Sequence, residues 1–417
     1  MSRRALVLHH YWNRPGGGQL VCASVTHTFD LMGLTPVLVS PVTIHVEKYP
    51  EWYGIDLSRF TRYSTRLELK AFGLYLRLLV GYVGVKALRE YNAGLVFTDE
   101  SAYKPLIPEV VKRGVKLIEY IHFPLEVSID PKLRGSGLYY GEDPYILERY
   151  GKFPLNVYWK LYTKISPRYV RENPFEVASV VLTNSAWTAD IVKDIYGEEP
   201  EVLNPPLPPA LSILTGNEIP AFDTRMDSVV MVGRFSEEKR YHWVIGEVFP
   251  SIRREVKGVK LYVFGGASTR TSMNYLSRLI KLAESLGFKT ATSLNADADV
   301  YLIPDAPRRD ITKVMDRSKV FLHSTINEHW GIVVAEAMSR GLPVVVHESG
   351  GAWSDIVRHG EHGLGYRDAD DAVEKVLDVL TNRKLWEYLS MKSTDRVRDL
   401  TLDNFTAKFI DIVKKHV

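Results

Sequence analysis

Residues 319–347, KVFLHSTINEHWGIVVAEAMSRGLPVVVH, decide the fold. Lys319–His323 and Leu342–His347 are short apolar runs of strand length, rich in valine. Between them, Ile332 to Arg340 has the apolar spacing of a buried helix that stops at Gly341. A strand, a helix and a second strand within so few residues form one parallel crossover unit, and such units build α/β sheets.

The same alternation continues outward from this unit. Ala5 to His10, Pro36 to Val42, Gly94 to Thr98, Lys116 to His122 and Ser179 to Thr183 read as strands with helical or polar segments between them. The alternation pauses between Asn204 and Asp227, where Pro205, Pro206, Pro208, Pro209, Gly216 and Pro220 crowd together as an interdomain linker. It resumes with Ser228 to Val232, Lys260 to Phe264 and Val300 to Ile303 and then enters the opening stretch. Two α/β domains are therefore expected, residues 1–205 and 222–399, with a helix over about 400–417 packing back onto the first. In open parallel sheets, ligands bind outside the carboxyl ends of the strands, which places the expected active site in a cleft between two facing sheets.

At 417 residues the chain exceeds what one core usually serves. The 45% hydrophobic and 25% charged composition is that of a globular protein, and a net charge of +3 is too small to indicate nucleic acid as partner. The single cysteine, Cys22, excludes an internal disulfide and fits a reducing compartment; its apolar setting makes it a buried packing residue. The first apolar run is too short for a signal peptide, so a cytoplasmic protein is expected. One glutamine and one cysteine resemble the depletion of thermolabile residues in heat-adapted proteins.

Two stretches are biased. Leu67 to Tyr91 is apolar and aromatic but broken by cations, so it is not a transmembrane helix. Lys152 to Arg171 holds Lys152, Lys160, Lys164, Arg168 and Arg171 among Phe153, Tyr158, Trp159, Tyr162 and Tyr169, with no acidic residue. This suits a surface resting on anionic lipid headgroups; a solvated basic face with aromatics turned inward reads equally well.

Three segments carry chemistry. Gly16-Gly17-Gly18 precedes a helical run, Leu20 to Leu31, and glycines there allow backbone N–H groups close to a phosphate, although a flexible turn explains them too. Gly233-Arg234-Phe235 with Lys239 ends the first strand of the second domain. There a planar guanidinium and a point charge can converge on one diphosphate, the alternative being a solvated charged turn. Glu328 stands in a loop and Glu336 inside the following helix, with Gly331 permitting close backbone approach and Ile332 and Val333 opening the helix. Sugar hydroxyls would satisfy such carboxylates, and the helix start offers N–H groups to a diphosphate; the alternative is a helix-start acid and a surface residue.

Gly233-Arg234-Phe235, Lys239, Glu328 with seven residues before Glu336, Ala337 to Val345, Ser349-Gly350-Gly351 and His359 to Leu364 together resemble the donor domain of the large retaining glycosyltransferase family of GT-B architecture, over roughly Ser228 to Tyr366. In that family the arginine and lysine bind the donor diphosphate, the first glutamate contacts the transferred sugar and the second holds the ribose. His10 with Gly16 to Gly18, Tyr120 to Pro124 around His122, Thr183 to Thr188 and Asn204-Pro205-Pro206 are similar to the cytosolic-face mannosyltransferases that extend lipid-linked oligosaccharides. His122, at a strand end, falls at a family position near the reacting sugar; a satisfied core histidine is the alternative.

The resemblance implies a GT-B fold and a metal-independent retaining transfer of a hexose, mannose from GDP-mannose, to a lipid-linked acceptor. No cofactor is implied beyond the nucleotide sugar. His122, Arg234, Lys239 and Glu328 would be catalytic, and Gly16, Gly17, Gly18, Gly233, Gly331, Ile332, Val333 and Glu336 would help to bind the donor. Lys152, Trp159, Lys160, Lys164, Arg168 and Arg171 would face an anionic membrane. His323-Ser324 and Trp353-Ser354-Asp355 depart from the family pattern and leave the donor sugar open. A UDP-sugar transferase with a soluble or different glycolipid acceptor, and a catalytically silent membrane-surface subunit, are the competing readings. Asp297-Ala298-Asp299 imitates a metal-binding acid pair without its supporting context.

Overall fold

The computed structural model describes residues 4–65, 67–68, 73–124 and 150–417. The chain divides into two compact units, one formed by Met1–Glu142, Lys152–Leu211 and Leu400–Val417, the other chiefly by Ser212–Asp399.

The first unit contains β1 (Arg4–Leu8), β2 (Thr35–Ser40), β3 (Thr61–Ser64), β4 (Leu95–Thr98), β5 (Lys116–Ile121), β6 (Val180–Thr183) and β7 (Glu201–Val202). They form one sheet in the order β3-β2-β1-β4-β5-β6-β7, every pair parallel. The central strands are buried on both faces, which is why they read as continuous apolar runs rather than as alternation. The helix Gly17–Leu31 lies beside the Leu402–His416 helix, where Thr28 and Thr406 hydrogen-bond at 3.0 Å and Phe29 meets Phe409 with ring centroids 5.6 Å apart. Cys22 is fully buried in the first of these helices, and burial with Asp99 nearby pushes its thiol well up, so it stays protonated. Of the apolar stretch at 67–91, residues 69–72 lie outside the described residues; Gly73–Tyr91 is a helix that buries Leu76, Leu78, Val80 and Leu88. Among the described residues no helix is long and apolar enough to cross a membrane.

The second unit contains β8 (Met226–Arg234), β9 (Lys260–Gly266), β10 (Thr290–Ala291), β11 (Val300–Pro304), β12 (Ser318–His323), β13 (Val344–His347) and β14 (Leu364–Tyr366), ordered β10-β11-β9-β8-β12-β13-β14 and again all parallel. The helix of the opening stretch runs Ile332–Met338, shorter than its apolar spacing suggests, because Ser339 and Arg340 turn the chain into the left-handed Gly341, φ +61°.

Four strands were not anticipated: β3, β7, β10 and β14. All four are the outermost strands of their sheets. Two to four residues long and partly exposed, they lack the apolar run that marks a strand buried on both faces. Strand order reverses between β1 and β4 in the first sheet and between β8 and β12 in the second, and these switch points open crevices at the strands' carboxyl ends.

Candidate active site

The crevice of the second unit is built by the end of β8, the turn after it and the loop after β12. A Cβ on Gly233 would lie 2.6 Å from the Tyr241 hydroxyl and 3.3 Å from Lys239 Cδ, so glycine is what allows both side chains to close over the strand end. Ser324 Oγ donates to the Lys239 carbonyl at 2.5 Å and fixes that turn to the β12 loop. Lys239 Nζ then donates to Glu328 Oε2 at 2.6 Å, and His323 Nε2, at the end of β12, lies 3.3 Å from the same oxygen.

The backbone of Glu328 is gripped from the other side. Asn327, in the left-handed region at φ +52°, donates its N–H to Ser349 Oγ at 2.8 Å, and Gly351 donates to the Glu328 carbonyl at 2.7 Å. A Cβ on Gly350, φ +74°, would sit 2.3 Å from that carbonyl oxygen, so no other residue fits the paired-glycine turn. Gly331, φ +91°, starts the helix that carries Ile332, Val333 and Glu336.

Burial alone would raise the Glu328 carboxyl, but the adjacent Lys239 ammonium outweighs it and brings the value down to about 2. Burial pushes His323 down to about 4 from its ordinary 6.5. The folded protein therefore binds fewer protons at His323 than the unfolded chain between those values, so its stabilising contribution is complete above pH 6.5 and is lost as pH falls toward 4. Glu328 adds a second loss of the same sign, starting near pH 4.5 and extending toward 2. We expect His323→Gln to lose less stability than the parent between about pH 7 and about pH 4.5; urea midpoints at the two pH values measure the difference.

The other expected residues of this unit take different partners. The Arg234 side chain, 62% exposed, donates to Glu238 Oε1 at 3.1 Å. Glu336, 13% exposed, accepts from Arg308 Nη1 at 2.9 Å, a partner that the sequence did not flag. Asp297 and Asp299 are engaged separately, with Lys260 at 2.9 Å and Arg253 at 3.2 Å.

In the first unit, Gly18 and His122 come together at a pocket of about 310 Å³, lined also by His9, His10, Arg77, Asp99 and Glu100, whereas Gly16 and Gly17 are not among its lining residues. Asp99 Oδ1 is 2.8 Å from His9 Nδ1, and Asp99 Oδ2 is 3.1 Å from His122 Nε2. His10 Nδ1 is hydrogen-bonded to Glu100 Oε1, and Arg77 Nε lies 3.7 Å from Glu100 Oε2. A Cβ on Gly18 would be 2.9 Å from Asp99 Oδ2, so this glycine seats the helix start on the carboxylate, while a Cβ on Gly17 would meet nothing within 4 Å. Sequence reading missed Asp99 and Glu100, although they follow Thr98 at the carboxyl end of β4, where ligands are expected.

Of the residues expected at a membrane, Lys152, Lys160 and Arg168 are exposed along with Lys164, and Trp159 is half-buried, stacked on Tyr162 at 5.7 Å. Arg171 is a correction. Its side chain is 1% exposed and forks onto Glu119, Nη2 to Oε1 at 2.6 Å and Nε to Oε2 at 3.0 Å, with Nη1 on the Tyr196 hydroxyl at 2.8 Å. A buried carboxylate on β5 holds this cation inside the protein.

Residues 217–396 match the family described as Glycosyl transferases group 1. A Candida glabrata protein named GDP-Man:Man(3)GlcNAc(2)-PP-Dol alpha-1,2-mannosyltransferase is 30% identical over 387 residues, 84% of this chain and 70% of that one. A Dictyostelium discoideum protein of the same name is 22% identical over 396 residues, 88% and 74% of the two chains. Among solved structures, Anabaena HepE in complex with UDP and glucose has a TM-score of 0.67 at 13% identity, covering 99% of this chain and 100% of that one. WaaG, a glycosyltransferase involved in lipopolysaccharide biosynthesis, has a TM-score of 0.62 at 14% identity over 98% and 99%. Two parallel seven-stranded sheets, the Lys239–Glu328 grip at a switch point and relatives aligned along most of the chain lead to one conclusion: this protein belongs to the glycosyl transferases group 1 family and has the GT-B fold.

Proposed function

We propose that this glycosyltransferase moves mannose from GDP-mannose to a lipid-linked sugar acceptor at the cytosolic face of a membrane, with retention of configuration and without a divalent ion. The observation that carries the reading is the preset contact of Lys239 with Glu328, 2.6 Å apart at the β8/β12 switch point. A cation held there can receive the negative charge that develops as the glycosidic C–O bond breaks, the role that a bound ion would otherwise fill. Arg234, exposed beside it, supplies a second cation to the diphosphate. Glu328 orients the sugar and Glu336 takes the ribose hydroxyls. The acceptor attacks from the same face, and its proton passes to the departing phosphate oxygen. The mannosyl and lipid-linked specificities rest on the names of the aligned relatives.

Radiolabelled sugar nucleotides incubated with the enzyme and native lipid extract, then partitioned, test this. Label should enter the lipid phase from GDP-mannose alone, with rates unchanged within about twofold in excess EDTA. Transfer from a UDP-sugar, or to a water-soluble product, would overturn the donor or the acceptor assignment.

Membrane docking draws on the segment around the helix Leu155–Ile165. There Phe153 is 82% exposed, Val157 54% and Leu161 48%, interleaved with exposed Lys152, Lys160, Lys164 and Arg168. At about 1 kcal/mol per cation near an anionic surface, removing two corresponds to roughly 30-fold. Lys160→Gln with Lys164→Gln should weaken sedimentation with phosphatidylserine-containing vesicles by about that factor and leave folding unchanged.

A further inference from the structure

We propose that Asp99 is a positioning residue which, through one carboxylate, sets the ring orientation and proton placement of both His9 and His122 for the hydroxyl groups of a sugar bound in the first unit's pocket. The proposal rests on the transferase reading above for the identity of that ligand. Three strand ends meet at Asp99: His9 follows β1, Asp99 follows β4 and His122 follows β5. The carboxylate, 2% exposed, has one oxygen on each imidazole. The imidazoles beside it hold the Asp99 carboxyl far below the usual carboxylate range against the upward push of burial, so both oxygens can only accept. His9 must therefore carry a proton on Nδ1 and His122 on Nε2, opposite placements imposed by one group. This is the orienting role that a buried carboxylate plays toward a catalytic imidazole.

Two further observations point to a ligand. His9 is 3% exposed, and its Nε2 finds no hydrogen-bond partner among the described residues. A buried polar atom left in that state is costly and calls for an explanation, which a bound hydroxyl provides. His122 lines the same pocket with its side chain 30% exposed, so its remaining nitrogen is within reach of solvent and ligand. Gly18 belongs to the device, since any side chain there would meet Asp99 Oδ2, His9 Cε1 and His122 Nε2 within 2.9 to 3.4 Å. Glu100 hydrogen-bonds His10 and approaches Arg77; its Oε1 is also 3.7 Å from His9 Nδ1, beyond hydrogen-bond distance, whereas Asp99 Oδ1 is at 2.8 Å.

The test combines nitrogen-15 NMR of the histidine rings at about pH 8.5, assigned with single His→Gln variants, with kinetics of Asp99→Asn. The parent protein should show an Nδ1 proton on His9 and an Nε2 proton on His122. An asparagine offers one acceptor and one donor edge, so in Asp99→Asn one of the two rings should move its proton. Turnover should fall about 100-fold or more, while the Kd for GDP stays within about twofold. A proton on Nδ1 alone of His122 in the parent, a variant within about threefold of parental turnover, or a GDP affinity that falls in step with turnover would each overturn the proposal. If no donor supports transfer, the function assignment fails, and the ring protonation still decides the role of Asp99.

Discussion

Lys239→Ala is expected to lower turnover about 1000-fold, equivalent to roughly 4 kcal/mol of transition-state stabilisation. The geometry adds a consequence that the motif does not contain. Lys239 and Glu328 are only 16% and 17% exposed, so removing the lysine leaves a largely buried carboxylate without its ammonium countercharge. Its pKa then rises from about 2, and the second unit loses on the order of 3 kcal/mol of stability. Adding Glu328→Gln to Lys239→Ala removes the stranded charge. The double variant should regain most of the stability and none of the activity. Denaturant midpoints and initial rates on the same preparations separate the two effects, and a single variant that keeps near-parental turnover would remove Lys239 from the site.

The second large effect concerns stability alone. Glu119→Ala leaves Arg171 buried without its partner, at a cost of about 3–5 kcal/mol. The Tyr103 hydroxyl, which donates to Glu119 Oε2 at 2.5 Å, loses its acceptor as well. Glu119→Leu combined with Arg171→Met fills similar volume with apolar groups and should recover much of the loss, as measured by urea unfolding. The same pair tests the position of Arg171. A membrane-contacting arginine would lower vesicle binding when replaced by methionine and leave stability intact, whereas the buried fork predicts the reverse.

Much of the second unit's crevice was legible in the sequence because its parts lie close along the chain. Gly233 and Lys239 flank one turn, Glu328 and Gly331 one loop, and Gly350 the next strand end, so local chemistry nearly suffices to define them. Arg308 escaped notice because its link to Glu336 joins separate helices and no local pattern marks it. The edge strands escaped for a different reason: strands exposed at a sheet margin need no apolar run, and two residues of hydrogen bonding leave no periodicity to detect.

The sequence by itself determined the α/β class, the central strands of both sheets and the residue types of the second unit's crevice, since burial on two faces and tight glycine turns constrain local composition directly. Tertiary structure alone decided what those residues face. The order β3-β2-β1-β4-β5-β6-β7 brings His9, Asp99 and His122 together from three strand ends separated by 90 and 23 residues. It also sets Arg171 on Glu119 across 52 residues, turning an apparent surface cation into a buried one. Partners at such separations are chosen by strand order and burial, and neither leaves a periodic mark on the chain.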